Sequence, residues 1–394
     1  MMKCRRTWLC GVVLCWYLFL LLSLNSCDEH KSPSSSEQDK PLASSEMVTD
    51  PGQGNLAGTV VGTIANQPLT GVSLKIGSLR TTTDNYGNFR LDGVGNEQCI
   101  LNISSDQVYP RRIIVNLANG RVIQADAIER QSAFHLEFYR ELARGNHPGE
   151  NDLLPIHRWT GAMPPTFYID TNARAAYDGV ITSETIDRIT QVITEVVPVF
   201  SGNVYAEAAI YARSFSEYAF ETIPDNSIVI SFDDTLFLQD AVGIAFTEPN
   251  LTSLGSYALQ KAWIFVLNQE AFFSFSGVTR EAVVAHELGH SFGYRHTSLL
   301  PSIMVKAGMY AGLFSENDRV HMAVMYRRPA GNMDIDNDPI TTEKTVKRIL
   351  KHQVFLDRCP DISSSPFMKQ RLRSLKSSAA ELFEKTSSSA IVSE

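Results

Sequence analysis

Cysteine is scarce in this chain: there are 6 in 394 residues, and Cys4, Cys10, Cys15 and Cys27 fall within the first 27 positions. Only Cys99 and Cys359 are left for a folded body, in stretches of different character. A disulfide framework is therefore excluded, and stability has to come from an apolar core. Positive charge is also in deficit. Lys plus Arg number 35 against 43 Asp plus Glu, a formal net charge of −8. A surface of that sign repels phosphate backbones, so nucleic acid is not an expected partner. Long apolar runs are missing too, apart from residues 8–22. At 1.5 Å per residue, about 15 residues fall short of roughly 30 Å of hydrocarbon. What is present is ordinary globular material, 44% hydrophobic and 20% charged, in a length that suits two or three domains.

The short apolar run follows Lys3, Arg5 and Arg6 and precedes Leu24-Asn25-Ser26-Cys27. That is the charged, apolar, small-residue order of a cleaved secretory signal over residues 1–26. The last four residues resemble the lipobox of bacterial lipoproteins. The resemblance implies acylation of Cys27 and a lipid anchor in the bacterial cell envelope, at the outer membrane or cell surface in preference to the inner membrane. After Cys27, residues 28–53 offer only Leu42, Met47 and Val48 as sizeable apolar side chains among Ser, Pro and charge. Such a segment cannot repay its ordering entropy, and 27–53 is expected to be a flexible tether.

From Gly54 the pattern changes to short alternating runs, LAGTVVGTI, GVSLKIG, FRLDGV, ILNIS and RRIIVNL, separated by Gly, Asn and Pro. Period-two spacing with turn residues every eight to twelve positions predicts a small antiparallel sandwich over residues 54–127. The stretch resembles the carboxypeptidase regulatory-like domain through Gly58-Thr59-Val60-Val61, Pro68 to Val72, and Thr82-Thr83-Asp84 leading to Gly87-Asn88-Phe89. That likeness implies a spacer or recognition module and says nothing of a ligand. Residues 128–150 are left as a connector.

The chemistry is concentrated between Val278 and His296. Thr279 is placed to cap a helix with Glu281 in its first turn, and Val283, Val284, Leu288 and Phe292 give it an apolar face. His286 and His290 then stand one turn apart on the same side. Two imidazoles at i and i+4 can aim nitrogens at one point about 2.0–2.1 Å from each, which is half of a tetrahedral zinc shell. Gly293 can take positive φ, end the helix and turn the chain back, which brings His296 in as a third ligand. The fourth position stays open, as catalysis requires. Glu287, next to the first ligand, is the candidate general base. By composition, H-E-x-x-H-x-x-G-x-x-H arises in roughly two chains per hundred thousand, against about one in a hundred for H-E-x-x-H alone, so the longer pattern is specific.

These residues resemble the metzincin clan of zinc endopeptidases. The clan places a methionine in a tight turn beneath the metal, and Met304 in Pro301-Ser302-Ile303-Met304 holds that place in the sequence. A predicted strand at residues 165–170, a helix at 183–197 stopped by Pro198, strands at 228–232, 242–246 and 262–267, and a helix from Ser315 to Met325-Tyr326 surround the motif. This order looks most like the matrixin branch over residues 151–328, within a catalytic domain set at 151–330. The implied architecture is α+β: a twisted mixed sheet with helices and a Met-turn, preceded by the all-β sandwich. By the same resemblance, residues 242–247 form the edge strand to which an extended protein or peptide substrate would add.

Several family features are missing. No histidine lies between His157 and His286, so a single catalytic Zn2+ is expected and a second zinc is not. Lys306 stands where related branches carry a tyrosine, and Tyr310 is the nearest substitute. No thiol switch precedes the domain, and Cys359 lies on its far side. Asp334, Asp336 and Asp338 alternate, but Pro339 and Thr345 stand where a calcium loop needs Gly and Glu, so a solvated turn is expected and calcium has no support. Residues 331–394 are expected to be a helical and Ser-rich tail, helical over 342–357. Two rivals stay open on sequence alone: a surface binding or adhesion lipoprotein with a structural zinc, and a zinc hydrolase acting on a small amide or peptide rather than a protein.

Overall fold

Seven short strands account for the alternating sequence after Gly54: β1 (Gly54–Gly62), β2 (Ser73–Ile76), β3 (Leu79–Thr82), β4 (Asn88–Val94), β5 (Gln98–Ser105), β6 (Val108–Asn116) and β7 (Val122–Ala127). The computed structural model describes residues 54–95, 97–119, 121–145, 153–174, 181–216, 220–239, 241–249, 257–305, 314–340 and 353–358. All of these belong to one unit, Thr49–Glu394. Strands β4, β1 and β7 make a three-stranded sheet. Leu56, Val60, Phe89, Leu91 and Ala125 from this sheet share one buried cluster with Leu74, Leu101, Ile103 and Val115 from β2, β5 and β6. The pairing is not purely antiparallel as expected, because β1 runs parallel to β7.

The second half is built on a six-stranded mixed sheet. Its strands are β8 (Thr166–Arg174), β9 (Ile210–Arg213), β10 (Ser227–Asp233), β11 (Ala241–Pro249), β12 (Leu259–Val266) and β14 (Gln353–Arg358), in the order β14-β11-β12-β10-β8-β9. Every residue of β10 is buried, as suits a strand rich in Ile, Val and Phe that lies between two parallel neighbours, β8 and β12. Strand β11 is antiparallel to β12. Residues 353–357, expected to be helical, lie in strand β14 instead; residues 342–352 lie outside the described residues.

Five α-helices lie among the described residues, besides three short 3-10 helices: α1 (Leu136–Arg144), α2 (Ser183–Phe200), α3 (Glu270–Ser276), α4 (Arg280–Ser291) and α5 (Glu316–Arg327). Helix α2 runs past Pro198 to Phe200 rather than stopping before it. Val196, Val197 and Phe200 are buried there, and this anchorage of the last turn outweighs the loss of one backbone N–H. Helix α1 contributes Phe138, Tyr139 and Leu142 to the same core as Trp159, Phe167, Val284, Leu288 and Met304. None of the described helices is long and apolar enough to cross a membrane.

A two-residue strand, β13 (Asp336–Asn337), adds to β6 in parallel and makes a five-stranded sheet β13-β6-β5-β2-β3. The alternating aspartates are therefore not a solvated turn. Asp336 is 1% exposed and lies 2.7 Å from the Arg328 guanidinium, while Asp334 takes two hydrogen bonds from Arg140. Guanidinium groups occupy the place a cation would have taken.

Candidate metal centre

Helix α4 begins where the Thr279 hydroxyl accepts the Ala282 N–H, and all its residues but Glu281 are buried. His286 and His290 project from it toward His296. One ligand nitrogen from each of the three rings lies within 4.8 Å of the others. Among the described residues, this is the one cluster of three or more His, Cys, Asp or Glu side chains close enough to share an ion. The His290 and His296 Nε2 atoms are 3.1 Å apart. Two nitrogens bound to one zinc at about 2.0–2.1 Å and a tetrahedral angle stand about 3.3 Å apart, so this pair fits such an ion with little adjustment, and the third nitrogen lies within 4.8 Å of both.

Backbone carbonyls fix the orientation of two rings. The His286 Nδ1 lies 2.7 Å from the Ile303 carbonyl oxygen, and the His290 Nδ1 lies 2.8 Å from that of Tyr294. With Nδ1–H donated to a carbonyl, Nε2 carries the lone pair toward the common point. Gly293 has φ +98°, and a Cβ there would fall 1.9 Å from the His157 carbonyl oxygen. Only glycine serves at this turn, which returns the chain so that His296 faces the helix.

Met304 is fully buried. A Cβ on Gly289, between the two helical ligands, would come within 2.3 Å of its sulfur, so the thioether packs directly under the helix. Glu287 is also fully buried. Its carboxylate fills the space in front of Gly243 on β11, where a Cβ would sit 2.0 Å from Oε1. Strand β11 is therefore a wall of the site, and its glycine is what lets the glutamate stand there.

Four contributors escaped the sequence reading. Asp318 accepts the Ile303 N–H at 3.1 Å and the Ser302 hydroxyl at 2.6 Å, which holds the segment whose carbonyl orients His286. Its capping-box spacing with Ser315 was the available signal. Glu141 of α1 accepts the Thr297 hydroxyl at 2.8 Å and the Ser298 N–H at 2.6 Å, clamping the chain just after His296; a glutamate in a helix carries no mark of that role. Gly243 showed only as a strand residue. Phe355 lay in a segment expected to be helical. Cys27, Lys306, Tyr310 and Cys359 lie outside the described residues, and Cys99 is a partly buried free thiol whose pKa burial pushes up.

No family model and no curated protein matches the chain. Among solved structures, metalloproteinase-II from Bacteroides fragilis is similar at 11% identity over 68% of this chain and 84% of that one, with a TM-score of 0.24. A membrane-associated protein of unknown function from Bacteroides fragilis NCTC 9343 is similar at 14% identity over 38% and 44%, with a TM-score of 0.17. A cohesin–X-dockerin complex from Acetivibrio cellulolyticus is similar at 15% identity over 18% of this chain and 51% of that chain, with a TM-score of 0.15. Likeness this weak carries no weight for the site; the geometry of the three histidines does.

Proposed function

We propose that this chain is a zinc-dependent endopeptidase, with Zn2+ held by His286, His290 and His296 and Glu287 as general base. In this reading residues 151–330 are a metzincin-like domain nearest the matrixin branch, residues 54–127 are a regulatory-like β-sandwich, and Cys27 carries a lipid anchor in a bacterial envelope membrane. The observation that carries it is the convergence of three buried imidazoles beside a buried carboxylate. The two sheets around one shared core support the sandwich.

Held by His286, His290 and His296, zinc would supply Lewis acidity and would make a water nucleophilic near neutral pH. The protein's part is positional. The Ile303 and Tyr294 carbonyls keep two imidazoles in the Nδ1–H tautomer, and Met304 supports the helix from below. Glu287 accepts a proton from the attacking water on its carboxylate and returns it to the leaving amine. Gly243 leaves that carboxylate room to do so.

The test is Glu287→Gln. The variant is expected to keep one zinc per chain and to lose about 10²- to 10⁴-fold in cleavage of denatured casein, and 1,10-phenanthroline should abolish wild-type activity. Equal cleavage by wild type and variant overturns the mechanism. A wild-type protein that holds zinc and cleaves nothing returns the adhesion reading.

A further inference from the structure

The sheet edge beside the site already holds a strand, and that strand is the chain's own. Strand β14 lies antiparallel on β11, in register from Ala241 opposite Arg358 to Thr247 opposite Gln353. The sequence reading made β11 the edge to which substrate adds, but here β14 is the outer strand of the sheet and β11 is enclosed on both sides. One row of N–H and C=O groups cannot serve two strands. The occupant also reaches the centre itself. Opposite Ala245 stands Phe355, whose ring stacks flat on the His290 imidazole with centroids 4.3 Å apart and planes 3° from parallel. The Arg295 guanidinium covers the same ring at 5.6 Å. Phe355 is 9% exposed, packed between a candidate metal ligand and a cation.

The geometry points to residues 353–358 as an internal occupant of the substrate groove that keeps the site closed until it is displaced. The segment takes both the backbone row an extended peptide would use and the face of His290. Because it is tethered, its effective concentration at the groove is of millimolar order, which an external peptide must outcompete. A ligand that binds only the open form is weakened by the open fraction.

The inference rests on the peptidase reading for the word substrate, and the test separates the two. Phe355→Ser in the full zinc-loaded chain should release zinc to a colorimetric chelator at least about tenfold faster than wild type and raise kcat/KM on a peptide by a similar factor. Faster zinc release with no cleavage by either protein supports the occluding strand and sinks the peptidase reading. Unchanged release and unchanged cleavage in a folded variant overturn the occlusion. If Phe355→Ser does not fold, hydrogen exchange on wild type decides. Saturation with a peptide hydroxamate should speed exchange of the β14 amides and leave those of β11 protected, whereas protection of β14 that does not change overturns the inference.

Discussion

Two of the buried polar clusters among the described residues are built on opposite plans. Where the N-terminal sheets meet the second half, the fully buried Arg328 lies 2.7 Å from Asp126 and 2.7 Å from Asp336. It also donates to the Thr63 hydroxyl at 2.9 Å, and Arg111 holds the other Asp126 oxygen at 2.6 Å. Burial works against the Asp126 charge, but the Arg328 and Arg111 guanidinium groups more than offset it and hold the carboxyl below its usual range. Each charge there has a countercharge. At helix α4, by contrast, three imidazoles direct donors of one kind at one point. A buried cluster that neutralises itself is complete as a joint, while a buried cluster of converging lone pairs is completed by a cation.

Breaking the joint should have the largest effect on stability. Arg328→Ala leaves Asp336 and Asp126 buried without their main partner, a loss of about 3–5 kcal/mol. Urea unfolding measures it, and zinc content per folded chain should not change. A cost under about 1 kcal/mol would mean that β13 and the apolar contacts, not the ion pairs, hold the two halves together.

A second kind of buried histidine sharpens the contrast. His321 uses both ring nitrogens on the backbone: Nδ1 lies 2.6 Å from the Asn317 carbonyl oxygen and Nε2 accepts the His135 N–H at 2.8 Å. Burial pushes its pKa down to about 4, so the fold favours the neutral ring. Its contribution is then complete above the free-histidine value of about 6.5 and is lost as pH falls from there toward 4, in total about 3 kcal/mol. Burial and the nearby Arg295 push His157 down to about 3, which adds to the same window. The quantity to measure is therefore the difference in urea midpoint between wild type and His321→Gln at pH 7, 5.5 and 4. Equal slopes with pH in the two proteins would remove His321 from the account.

Removing the ion tests the other cluster. A ligand present at a hundred times its Kd stabilises the folded state by about 2.7 kcal/mol, so chelation should lower Tm by a corresponding amount and leave the Arg328 joint intact. A Tm that does not respond to zinc or chelator would show that the three imidazoles bind nothing in solution.

How much of this was legible follows from distance along the chain. His286, His290, Gly293 and His296 lie within one helix and its turn, so periodicity and a positive-φ glycine are enough to bring them together. Met304 and the Ser315 cap are nearly as local. The parallel pairing of β1 with β7, the addition of β13 to β6 and the seating of β14 on β11 are contacts across long loops, and no period in the sequence encodes a partner. The aspartates at 334, 336 and 338 misled for the same reason: the guanidinium partners of Asp334 and Asp336 come from α1, β6 and the end of α5, and Asp338 accepts from the Asn332 amide. The helix expected over 342–357 failed at residues 353–357 because an available sheet edge outweighs local preference for a short segment.

The smallest expected effect separates capping from coordination. The Ser315 hydroxyl accepts the Asp318 N–H at 3.0 Å, and the Asp318 Oδ2 accepts the Ser315 N–H at 2.9 Å. That same carboxylate holds Ile303 N–H, and the Ile303 carbonyl holds His286. Ser315→Ala removes the acceptor of the Asp318 N–H and the 2.9 Å bond that the hydroxyl donates to the Asp318 carboxylate, and should cost about 1 kcal/mol, as for other lost caps. Asp318 still reaches Ile303, so zinc affinity should stay within about twofold. If Ser315→Ala also weakens zinc tenfold, about 1.4 kcal/mol, then the start of α5 and the His286 ring move as one body, and the cap belongs to the metal centre rather than to the helix alone.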